Sequence, residues 1–93
     1  MNDQTQHRIQ QAAAVLKEAG ASEVYLFGSA ALGGVRDDSD VDFAVSGLPP
    51  QRFFAAMARA EAVLQRPLDL IDLDQPTPFT RYLRAEGELC RVV

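Results

Sequence analysis

From Gly28 to Val45 the chain reads GSAALGGVRDDSDVDFAV, and the last six residues of that stretch decide the fold. In Asp40 to Val45 the apolar residues Val41, Phe43 and Val45 alternate with Asp40, Asp42 and Ala44. A period of two is the mark of a strand, whose successive side chains leave opposite faces. Asp40 and Asp42 therefore share one face, while Val41, Phe43 and Val45 enter a core. Just upstream, Glu23 to Phe27 reads EVYLF, a short β-rich run that Gly28 ends abruptly. Between the two strands, Ala30 to Leu32 suits a short helix. The polar loop 33–39 carries Gly33, Gly34, Asp37 and Asp38.

The elements on either side follow the same logic. From Thr5 to Ala19, residues Ile9, Ala12, Ala13, Val15 and Leu16 recur at helical spacing, with Asp3 or Thr5 as N-cap and Gly20 as stop. Beyond Val45, Ser46 to Pro50 is a turn. Gln51 to Gln65 is then a helix whose apolar stripe is Phe53, Phe54, Met57, Ala60, Val63 and Leu64, with the aromatic pair expected to fill the core. Pro67 precedes a third strand, Leu68 to Leu73. Pro76 and Pro78 separate it from a short helix, Phe79 to Ala85, and Gly87 turns the chain into an edge strand, Leu89 to Val93, holding Cys90 as a small apolar residue. Alternating helices and strands imply an α/β (α+β) class, a small mixed sheet flanked by helices, in a single domain over residues 1–93.

Composition narrows the function. The 93 residues, 47% hydrophobic, suffice for one compact domain with a small core. That small core and the apolar C-terminal strand lead us to expect a homo-oligomer or a heteromer. A net charge of −4 argues against direct binding of nucleic acid by phosphate neutralisation, and so against a polymerase or tailing enzyme. The single cysteine excludes an internal disulfide and fits a reducing cytoplasm. The start, MNDQTQHRIQQ, lacks the apolar core of a signal peptide, and no apolar run approaches the roughly 20 residues that span a bilayer. The expectation is a cytoplasmic protein without a membrane role.

The chemistry resides in the acids. Two carboxylates on one face of a half-buried strand repel each other, by roughly 4 kcal/mol at about 4 Å and an effective dielectric near 20. A divalent cation removes that cost, and oxygen donors are what Mg²⁺ prefers. If the third strand lies beside the DVD strand, Asp69, flanked by Leu68 and Leu70, completes a three-carboxylate cluster. Such a cluster can hold two ions, one activating an attacking hydroxyl and one clamping a triphosphate. Asp72 and Asp74 compete for that place, but Asp72 projects from the opposite face to Asp69 and Asp74 lies near the strand end. Gly28 allows close approach of backbone to phosphate, and Ser29 adds a hydroxyl donor. Asp42 is the group placed to act as base or to bridge metals, since the only histidine, His7, is far away in sequence. Tyr25 belongs to an apolar strand, and Arg81, Arg84 and Arg91 read as a solvated face.

On these residues, Gly28 to Val45 resembles the GS-x10-DxD signature of the DNA polymerase beta-like nucleotidyltransferase superfamily, and most of all its minimal, MNT-type members. The resemblance continues through Gly33, Arg36 and Ser39-Asp40, through LDLIDL at Leu68 to Leu73, and into the ending LRAEGELC. It implies an α-β-α-β-α-β fold, Mg²⁺ at Asp40, Asp42 and Asp69, ATP as substrate, and phosphate contacts at Gly28 and Ser29. It also implies a partner, because MNT proteins are often encoded beside a HEPN-domain toxin and act as its antitoxin, some by transferring AMP to a tyrosine of the toxin. In one respect the chain departs from its relatives, which frequently carry basic residues just after the Gly-Ser pair where this one has Ala30 and Leu32. Arg36 is then either the nearby cation for the triphosphate or the partner that neutralises Asp37 or Asp38. The departure also admits a second reading, an antitoxin that neutralises its partner by contact alone.

Overall fold

The computed structural model describes residues 3–28, 40–86 and 89–92. Helix α1 (Asp3–Glu18) is followed by strand β1 (Glu23–Phe27), strand β2 (Val41–Ser46), a single 3₁₀ turn (Pro50–Arg52) and helix α2 (Phe53–Leu64). Strand β3 (Leu68–Asp72), helix α3 (Pro78–Glu86) and the short strand β4 (Cys90–Arg91) complete the chain. The strands form one mixed sheet in the order β3-β2-β1-β4. Strand β1 is antiparallel to both β2 and β4, whereas β2 and β3 are parallel and joined through α2. The expected class and a small mixed sheet flanked by helices are thus found. The short helix expected over Ala30 to Leu32 lies outside the described residues.

One face of the sheet carries the main core. Val24 and Leu26 from β1, Val41, Phe43 and Val45 from β2, and Leu68 and Leu70 from β3 pack under Ile9, Ala12, Ala13 and Leu16 of α1 and Ala56, Ala60 and Leu64 of α2. Alanines at the helix contact points let α1 and α2 sit close to each other and to the sheet. The opposite face carries a smaller cluster of Phe27, Ala44, Leu73 and Leu83, the last from α3, with Tyr25, Ile71 and Leu89 at its margin.

Several local expectations require correction. Thr5 is buried within the first turns of α1, which begins at Asp3, so it is not the cap. Phe54 is 74% exposed, because the stripe that meets the sheet is Ala56, Ala60 and Leu64 with Phe53 and Met57 beside it, and Phe54 is rotated about 100° from Phe53 around the helix. Asp40 precedes β2 instead of opening it, and Leu73 lies just past β3, although its N–H still donates to the Val45 carbonyl at 2.8 Å. Cys90 is exposed on the edge strand.

The start of α3 is fixed by a reciprocal cap. Thr80 N–H donates to Thr77 Oγ1 and Thr77 N–H to Thr80 Oγ1, both at 3.1 Å, and Thr80 Oγ1 donates to the Gln75 carbonyl at 2.5 Å. Pro78 follows the cap, where its missing donor costs little.

Candidate functional site

The strand pairings gather the acids. In the antiparallel β1–β2 ladder Phe27 faces Asp42, and in the parallel β2–β3 ladder Asp42 faces Asp69. Phe27, Asp42 and Asp69 therefore form one row across the sheet, with neighbouring Cα atoms about 5 Å apart. The next row is Tyr25, Ala44 and Ile71. Because Phe27 and Ala44 belong to the smaller cluster, the Asp42 row lies on the α3 side of the sheet, away from α1 and α2. This is the end where β1 leaves the sheet and β2 and β3 enter it. Asp40, two residues before Asp42, lies exposed at the same end.

Gly28 closes the row on the β1 side. Its φ of +65° lies in the left-handed region, and a Cβ placed there would stand 2.8 Å from Asp42 Oδ2 and 3.8 Å from its Cγ. The Asp42 carboxylate thus lies against the bare Cα of Gly28, and only glycine permits both the turn and that approach. Ser29, Arg36, Gly33, Ala30, Leu32, Asp37, Asp38 and Ser39 lie outside the described residues.

Electrostatics single out Asp42. Its carboxyl is held above the usual aspartate range, first by partial burial and then by repulsion from Asp69 and Asp40. The ion pairs Arg59–Glu18 at 4.0 Å and Arg84–Asp74 at 3.9 Å leave this row untouched. Among the described residues no three carboxylate, imidazole or thiol groups are gathered closely enough to chelate an ion as their side chains stand. What the fold supplies is the row itself: hard oxygen donors on adjacent strands, with a mutual repulsion that a divalent cation would relieve. The donor chemistry fits Mg²⁺.

The other acids of the middle segment have structural partners. Asp74 accepts from Ser46 Oγ at 2.9 Å and from Gly47 N–H at 2.7 Å, tying the turn after β3 to the turn after β2. Asp72 is half-buried on the side of Leu68 and Leu70 and accepts from Asp74 N–H at 2.9 Å. Tyr25 packs at the edge of the smaller cluster and donates its hydroxyl hydrogen bond to Glu23. His7 is exposed on α1, across the sheet from the carboxylate row. Arg84 donates to the Leu73 carbonyl at 3.3 Å, so it supports the same turn as Asp74. Two hollows, about 420 Å³ beside Glu61 and Arg66 and about 270 Å³ beside Phe53 and Phe54, do not include Asp40, Asp42 or Asp69. The candidate site is marked by the row and by Gly28.

The sequence reading did not single out the aromatic next to the row. Phe79, in the first turn of α3, sets its ring against Phe27 edge to face, centroids 5.8 Å apart. Only the sheet register, which puts Phe27 beside Asp42, gives that ring a place near the acids.

Residues 10–90 match the family described as Polymerase beta, Nucleotidyltransferase. No curated protein matches the chain. Among solved structures, one assigned as a minimal nucleotidyltransferase superposes with a TM-score of 0.75 at 23% identity, over 94% of this chain and 91% of that one. A toxin-antitoxin complex with AMP-PNP contains a chain that superposes with a TM-score of 0.71 at 20% identity, over 90% of this chain and 72% of that one. A complex of tri-AMPylated Shewanella oneidensis HEPN toxin with MNT antitoxin gives a TM-score of 0.67 at 18% identity, over 96% and 71%. These neighbours share the fold seen here.

Proposed function

Because the chain belongs to the polymerase beta nucleotidyltransferase family, we propose that it is a Mg²⁺-dependent nucleotidyltransferase that moves AMP from ATP to a hydroxyl of a partner protein, acting as antitoxin to a HEPN-domain toxin. The observation that carries this reading is the Asp42–Asp69 pairing beside the bare Cα of Gly28. The partner and the acceptor hydroxyl are inferred from the resemblance to MNT antitoxins, one of which is complexed with an AMPylated HEPN toxin.

In this reading Asp40, Asp42 and Asp69 hold the metal, one or two Mg²⁺ ions. When bound, the metal supplies charge neutralisation on the triphosphate and a lowered pKa at the acceptor hydroxyl. Gly28 admits the phosphates to the backbone, with Ser29 and Arg36 as further donors. Asp42, the carboxylate at the centre of the row, accepts the hydroxyl proton. The acceptor oxygen bonds to the α-phosphorus as the bond from that phosphorus to the bridging oxygen breaks, and pyrophosphate leaves.

The test is transfer of label from ATP in the presence of Mg²⁺ and the HEPN partner. We expect a labelled partner with the parent chain and none with Asp42→Asn. Absence of label with the parent, together with unchanged neutralisation by Asp42→Asn in cells, overturns the reading.

Ala30 and Leu32, where relatives often carry cations, favour a second reading in which the chain neutralises its partner by contact alone. That reading predicts that an Asp40→Asn, Asp42→Asn double variant still binds and still neutralises. Binding retained with protection lost excludes it.

A further inference from the structure

The carboxylate row accounts for the triphosphate end of a nucleotide but offers nothing to its base. A nucleobase presents two flat π faces, and an exposed aromatic ring is a simple platform on which to hold it. Among the described residues three large hydrophobic side chains are conspicuously exposed, Phe54, Phe79 and Tyr82. Phe54 belongs to α2, which covers the face of the sheet opposite to Asp42, so it is excluded by topology. Tyr82 lies one turn further along α3 than Phe79. Phe79 has its ring edge to face with Phe27, a member of the acid row.

We propose that Phe79 is the platform on which the base of the bound nucleoside triphosphate stacks, an inference that rests on reading the Asp42 row as the triphosphate site. Phe27 is buried and directly faces Asp42, and the Phe79 ring is the next one out from it. A nucleotide whose phosphates lie at Gly28 and Asp42 can therefore extend its base along the β1 side of the face onto that ring. The ring is also well held. Its edge-to-face contact with Phe27 fixes one side, and the Thr77–Thr80 cap locks the helical turn that carries it. Phe79 as a residue remains 45% exposed, so a flat ligand has surface to cover. Stacking of this kind accepts every base, which predicts weak discrimination between ATP and GTP at this contact.

The chain contains no tryptophan, so Phe79→Trp creates a unique fluorophore at the proposed platform. Phe79→Leu keeps an apolar cover over Phe27 but has no π face. Calorimetric titration with Mg²⁺-ATP and with Mg²⁺-tripolyphosphate, which lacks a base, separates the two ends of the ligand. We expect Phe79→Leu to weaken ATP by about tenfold while leaving tripolyphosphate unchanged. Phe79→Trp should keep ATP affinity, with its fluorescence quenched by ATP and not by tripolyphosphate. Unchanged ATP affinity in Phe79→Leu, or equal loss of both ligands, overturns the platform while leaving the triphosphate site in place. Failure of the parent chain to bind either ligand overturns the triphosphate site and the platform together.

Discussion

Asp42 faces Asp69 directly across the parallel β2–β3 ladder, so two carboxylates leave the same face of the sheet on neighbouring strands. Nothing in packing requires this. The other residues of β2, apart from Ser46 at its end, are buried, and an apolar residue at either position would spare the fold a repulsion. A divalent cation at this pair would relieve the repulsion, as the proposed function requires.

Burial of Asp42, together with repulsion from Asp69 and Asp40, has a pH signature. Asp42 holds its proton more tightly in the folded state than in the unfolded chain, so its ionisation destabilises the fold. The destabilisation is absent below the ordinary aspartate pKa of about 3.9, grows as pH rises through it, and is full above the raised folded value. Asp42→Asn should therefore melt a few degrees above the parent in metal-free buffer at neutral pH, with the difference vanishing in acid. An equal difference at both ends of the range contradicts the assignment.

Metal should reverse that order. Mg²⁺ with ATP stabilises only a chain that binds it, by about 2.7 kcal/mol at a hundredfold excess over Kd. Thermal melts should show this shift for the parent and lose most of it in Asp42→Asn and in Asp69→Asn.

At Gly28 an added methyl meets Asp42 Oδ2 at 2.8 Å and a left-handed backbone. Gly28→Ala should cost about 1 to 3 kcal/mol from the backbone alone. It should also weaken Mg²⁺-ATP binding, since the carboxylate must move. Denaturant titration and calorimetry read the two effects separately.

Asp74 supplies the contrast within the acidic segment. Its bonds to Ser46 and Gly47 are structural, so Asp74→Ala should cost about 1 kcal/mol of stability with no change in Kd for Mg²⁺-ATP. A loss of affinity matching that of Asp69→Asn would move Asp74 into the site.

In the core, Phe43 is fully buried and Phe54 is exposed. Phe43→Ala should cost about 3 to 5 kcal/mol, enough to unfold most of a domain this small, whereas Phe54→Ala should stay within about 0.5 kcal/mol. Urea midpoints for the two variants decide between them.

How far the sequence reveals this molecule depends on the range of each signal. Alternation in Asp40 to Val45 exposed β2 and the shared face of its acids, because strand periodicity is local. The partnership of Asp42 with Asp69 followed only once β3 was set beside β2, which is a tertiary fact. Phe54 misled for the same reason: a helix with aromatics on adjoining positions shows an apolar stripe broader than the face that meets the sheet. Phe79 could not be found at all, since its neighbour Phe27 is 52 residues away and the contact depends on how α3 crosses the sheet. The match over residues 10–90 and the shared fold agree with the family and fold that the Gly-Ser and DxD pattern suggested.

The proposed transfer is tested most directly by the intact mass of the proposed HEPN partner after co-expression with the parent chain or with Asp42→Asn. The account predicts a gain of one or more AMP units with the parent and none with the variant. An unmodified partner, bound to and neutralised by both forms alike, contradicts it.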